Sequence, residues 1–85
     1  LAEQEDVMGE LADRFKLFVR DIDRGENVIV IDTDEGHASG ISYVIDKLER
    51  EEIVGTVAGQ NTILVAARSS KQAASLLSEF EDLLV

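Results

Sequence analysis

The side chains able to do chemistry in this chain gather in two short stretches, IDTDEGHASG (31–40) and VGTVAGQNT (54–62). In the first, Asp32, Asp34 and Glu35 could surround a hard cation, but their spacing matches no calcium loop, and a solvated acidic turn is the better reading. His37 stands at the start of a predicted helix. With no cysteine and no second histidine it cannot build an imidazole or thiolate metal site, so it reads as a solvated or interface side chain. No serine has a base beside it in a nucleophile motif, and Gly36, Gly55 and Gly59 form neither G-x-G-x-x-G nor a P-loop. An enzyme is therefore disfavoured, and no metal or cofactor is called for. In the second stretch two amides, Gln60 and Asn61, stand side by side in a connection that Asn-Gly or Asp-Gly would close. Read locally, Asn61 is a turn residue that tolerates positive φ.

The elements that must hold these stretches follow from periodicity. Two β-branched runs, 53–59 and 62–67, flank the amide turn and read as a strand pair. A second pair precedes it. FKLFVRDI (15–22) alternates Phe15, Leu17 and Val19 against Lys16, Phe18 and Arg20, turn chemistry follows at 23–27, and VIVIDT (28–33) is nearly continuous in apolar residues. Between the pairs Ala38, Ile41, Val44, Ile45 and Leu48 recur at helical spacing, with Asp34 positioned to cap the helix. Gly40 inside that helix costs up to about 1 kcal/mol relative to alanine, which implies either a close helix–sheet contact or simple tolerance. Ser69 and Gln72 form a capping-box pattern ahead of the apolar face of Ala73, Ala74, Leu76, Leu77, Phe80, Leu83 and Leu84. The predicted order is ββαββα. It implies an α+β two-layer sandwich, with a four-stranded antiparallel or mixed sheet and two helices on one face. Residues 1–14 are acidic, with Leu1, Val7, Met8 and Leu11 only loosely helical in spacing. They read as a linker, and 15–85 as the domain.

Composition sets the outer bounds. The chain has 85 residues, 45% of them hydrophobic and 31% charged, which is globular and allows one domain with a thin core. Small domains without disulfide or metal staples often gain stability by oligomerising. Both 28–33 and 62–67 offer apolar side chains on two faces, so a partner subunit is the expected cover for the face that the helices leave open. A net charge of −10 leaves no basic field to meet phosphates, so these residues alone should not bind nucleic acid. No apolar run is long enough to span a bilayer and no signal-peptide pattern opens the chain, so no membrane partner and a cytoplasmic location are expected. Opening on Leu1 rather than Met, the chain is expected to continue a longer protein.

The segment Gly55-Thr56-Val57-Ala58-Gly59-Gln60-Asn61-Thr62 resembles the C-terminal domain of bacterial arginine repressors, where the corresponding motif reads G-T-[IV]-[AC]-G-D-D-T. VRDID (19–23), VIVIDT (28–33), a Gly-led helix through Asp46 and the leucine-rich last helix fall in the same order, so the resemblance covers residues 15–85. It implies a non-enzymatic oligomerisation and effector domain of a transcriptional regulator of arginine metabolism. Its implied partners are copies of itself, in a homo-hexamer of two stacked trimers, and operator DNA only through an N-terminal winged-helix domain; a paralogous repressor is a further implied partner. L-arginine is the implied effector, bound where the trimers meet. Carried over position by position, the ligand-binding residues are Ser39, Asp46, Thr56, Ala58, Gln60 and Asn61. The family keeps glutamine at position 39 and aspartates at 60 and 61. A carboxylate holds guanidinium or ammonium by roughly 1.5–3 kcal/mol and a neutral amide by about 0.5–1.5, so weakened arginine affinity is expected. The alternatives are a small-molecule-binding module of a different regulator, or a paralogue with only an assembly role.

Overall fold

The computed structural model describes residues 2–85, with side chains from Asp6 onward; Leu1 lies outside the described residues. The elements are α1 (Ala2–Phe18), β1 (Val19–Gly25), β2 (Val28–Thr33), α2 (Ala38–Lys47), β3 (Ile53–Ala58), β4 (Thr62–Ala67) and α3 (Ser70–Asp82). The strands form one antiparallel sheet in the order β1-β2-β4-β3. The ββαββα sandwich is therefore present, preceded by a third helix.

That helix is the main departure from the sequence reading. The alternation from Phe15 suggested a strand, yet residues 15–18 are helical and β1 begins only at Val19. The deciding spacing is Leu11, Phe15 and Phe18, which puts three large apolar side chains on one helical face. Leu11 and Phe15 are fully buried, Val7, Met8 and Phe18 pack against the same core, and Leu17 points outward at 69% exposure. Phe15 meets Phe80 of α3 with ring centroids 5.5 Å apart in a tilted pair, a geometry that the ring quadrupoles favour. Outside the core, Glu10 receives Arg14 at 3.3 Å and Lys47 of α2 at 3.2 Å.

The alternation of the central strands decides which sheet face the helices cover. Ile29 and Ile31 on β2, with Ile63, Val65 and Ala67 on β4, are buried against Ala38, Ile41, Val44, Ile45 and Leu48 of α2 and Ala73, Leu76 and Phe80 of α3. The opposite face carries Val28 and Val30 half-buried and Val57 and Leu64 exposed. The register aligns Val30 with Leu64 and Leu64 with Val57, which makes a continuous apolar row across three strands.

The helix ends divide. Ser69 caps α3 as its sequence indicated, accepting the Gln72 N–H at 3.1 Å. Asp34 does not cap α2: the N-cap residue is His37, with no side-chain cap bond, and the Asp34 carboxylate pairs with Arg20 instead. His37 stacks on Phe18, with centroids 3.8 Å apart and planes within 9°. After α2, Arg50 bridges Glu79 of α3 and Glu52. The Glu79 hydrogen bond leads in raising the Arg50 pKa against partial burial, helped by the charges of Glu79 and Glu52, so the guanidinium is held as a cation.

Candidate functional site

The two stretches rich in polar side chains come together along the free edge of the sheet, where β3 runs beside α2. Thr56 pairs with Val65 and Ala58 with Ile63, both buried positions, so Thr56 and Ala58 lie on the helix side of β3. Ser42 and Asp46 are one turn apart on α2 and reach Thr56. The Thr56 hydroxyl donates to Asp46 Oδ1 at 2.7 Å and lies 2.7 Å from the Ser42 hydroxyl. Thr56 has one hydroxyl proton and directs it to Asp46, so Ser42 donates to Thr56. The chain Ser42→Thr56→Asp46 thus fixes one carboxylate oxygen of an exposed aspartate from beneath.

At the other end of the edge, the β3–β4 connection meets the turn between β2 and α2. The Thr33 N–H donates to the Asn61 carbonyl and the Gly36 N–H to the Gln60 carbonyl, each at 2.8 Å, which joins the two loops through main chain. The Gly59 N–H closes the connection on the Thr62 carbonyl at 2.8 Å. The Gln60 side chain donates to Glu35 Oε1 at 3.2 Å, and the Asn61 Oδ1 accepts from the Thr62 hydroxyl at 3.1 Å.

The positions picked out by sequence thus form two groups. Asp46, Thr56 and Ala58 share the middle of the edge; Gln60 and Asn61 share its end with Glu35. Ser39 is exposed on the first turn of α2 and makes no side-chain hydrogen bond among the described residues. The three acidic residues of the first stretch do not converge: Asp32 lies 3.4 Å from the Thr62 hydroxyl, Asp34 pairs with Arg20, and Glu35 accepts from Gln60. Among the described residues the positive φ angles are at Glu26, Glu49 and Gly36, not at Asn61, so the amide pair is not there to meet a left-handed turn. Ser42 was missed from sequence. A hydroxyl four residues before Asp46, set between Ile41 and Val44, was the available signal.

Residues 15–82 match the family described as arginine repressor, C-terminal domain. The chain belongs to the arginine repressor family. It is 57% identical over 81 residues to an arginine repressor of Thermus thermophilus, covering 95% of this chain and 49% of that protein. Similar repressors occur in Deinococcus radiodurans, at 49% identity over 80 residues (94% of this chain, 51% of the relative), and in Thermotoga maritima, at 47% over 79 residues (93% and 52%). The chain therefore spans about half the length of these relatives. As a member of this family it is not an enzyme. No helix among the described residues is long and apolar enough to cross a membrane.

Proposed function

We propose that this chain is the oligomerisation and effector domain of a cytoplasmic transcriptional regulator of arginine metabolism, with residues 1–14 leading from an N-terminal domain that contacts operator DNA. The domain works without catalysis: it holds DNA-binding heads in a fixed hexamer of two trimers, and L-arginine bound at the α2–β3 edge biases how the trimers meet. The observation that carries this reading is Asp46, whose carboxylate is held by Thr56 at the edge where the family motif runs. An exposed carboxylate with one oxygen already satisfied offers the other to a guanidinium or ammonium group at little cost in side-chain order. Ala58, two residues along the same strand face, and the Gln60-Asn61 connection complete the wall, with Ser39 on the helix above.

The amides at 60 and 61 support a low affinity. They also support a second reading, in which the chain serves assembly alone, beside a paralogue that senses arginine. Calorimetric titration of the 85-residue chain with L-arginine tests both. Saturable binding that Asp46→Asn weakens supports the sensing role. No heat at millimolar arginine, with an oligomer still present, favours the assembly role.

A further inference from the structure

We propose that Glu35 is a specificity-determining residue of this edge: it faces one cationic end of the bound amino acid while Asp46 faces the other. The inference rests on the arginine-binding reading above and names the group that replaces the charge absent from positions 60 and 61. Three carboxylates lie in or beside the paired loops, and two have other partners, Asp32 near Thr62 and Asp34 with Arg20. Glu35 is exposed and takes a single neutral donor, Gln60 Nε2; its Oε2 has no protein partner among the described residues. The loop is not free to swing it away, because the Gly36 and Thr33 amides are bonded to the carbonyls of Gln60 and Asn61.

The identity of residue 60 then has a physical reason. An aspartate there would set two like charges within hydrogen-bonding range, each disfavouring ionisation of the other. Glutamine instead donates to the Glu35 carboxylate and orients it. The negative charge has moved from one loop to its bonded neighbour, leaving position 60 as its support.

Spacing matches an elongated dication. Glu35 lies three residues ahead of α2 and Asp46 eight residues beyond its first residue, Ala38, so the two carboxylates stand toward opposite ends of the helix, on the order of 12 Å apart along its axis at 1.5 Å per residue. Arginine carries its ammonium and its guanidinium at opposite ends of a flexible stem, so each carboxylate meets one cation. A ligand with only one cationic end leaves one carboxylate unpaired.

The test is calorimetric titration of the intact 85-residue chain, Glu35→Gln and Asp46→Asn with three probes: L-arginine, L-citrulline, whose guanidinium is replaced by a neutral group, and Nα-acetyl-L-arginine, whose ammonium is neutralised. The parent chain is expected to prefer arginine over each analogue by about tenfold or more, the worth of one charge-assisted bond. Glu35→Gln abolishes one preference and keeps the other; Asp46→Asn does the reverse. Glu35 is exposed on the chain surface, so its variant keeps the parent's circular dichroism. If Glu35→Gln retains both preferences, the assignment of Glu35 is overturned while arginine binding stands. If the parent chain binds no arginine, both readings fall.

Discussion

At the scale of single residues, the decisive feature is that amides stand at the two positions where the family motif keeps aspartates, while Asp46 on α2 remains a carboxylate held by Thr56. Replacing both, Gln60→Asp with Asn61→Asp, returns two charge partners, and arginine affinity measured by calorimetry is expected to rise. Recovery is partial, because Ser39 is too short to act as the family's glutamine and the new charge at 60 crowds Glu35. Equal affinity in the parent and the double variant would contradict the view that these amides limit binding. The hydroxyl relay makes a separate prediction about stability. Thr56→Val leaves the Ser42 hydroxyl, only 6% exposed, without its acceptor, at a cost of about 1–3 kcal/mol; Ser42→Ala removes the donor, leaves Thr56 on Asp46, and costs about 1 kcal/mol or less. Urea unfolding at one fixed protein concentration ranks the two, and a larger loss for Ser42→Ala would contradict this account of the relay.

At the scale of elements, residues 28–33 and 62–67 were legible as strands because β-branched runs bounded by turn residues have few other solutions, and Ser69 and Gln72 marked the start of α3 through a local bond that needs nothing distant. The α1–β1 boundary was not legible. Phe15, Leu17 and Val19 satisfy a period of two, while Leu11, Phe15 and Phe18 satisfy a helical one. The choice depends on Phe80, 65 residues away in sequence from Phe15, which only the folded chain brings near. The candidate site divides in the same way: motif positions could be listed, but the Ser42 relay and the Glu35–Gln60 pair are products of tertiary approach. If α1 is integral to the core, Phe15→Ala costs about 3–5 kcal/mol in urea unfolding, whereas a loosely attached segment would lose under about 1. Gly40 gives the opposite sign. A Cβ there would meet only the Arg14 Nη1, at 3.2 Å, the far end of a flexible side chain on α1 and not the sheet, so the tolerance reading holds. Gly40→Ala is expected to stabilise α2 by up to about 1 kcal/mol, seen as a higher urea midpoint.

At the scale of the whole molecule, one sheet face is covered by three helices and the other bears an apolar row, with Val57 69% and Leu64 45% exposed. A monomer that leaves Val30, Leu64 and Val57 facing water in register has reason to associate, since burial of apolar area stabilises by about 25 cal/mol per Å². In the proposed hexamer the seam between trimers is a separate question, and there charge decides. Two aspartates per subunit in the family motif would oppose closure until a cation compensates them. This chain carries neutral amides at those positions, and the carboxylate nearest to them, Glu35, is already hydrogen-bonded by Gln60. Amides also donate as well as accept, so copies of Gln60 and Asn61 can pair across the seam without a ligand. The expected particle is therefore a hexamer in the absence of arginine. Sedimentation equilibrium at micromolar protein, with and without millimolar arginine, checks this: a trimer that becomes a hexamer only on addition of arginine would refute arginine-independent closure. Leu64→Lys, which puts a charge in the middle of the apolar row, is expected to give a smaller particle under both conditions. An unchanged hexamer in that variant would place the contact elsewhere than on the open sheet face.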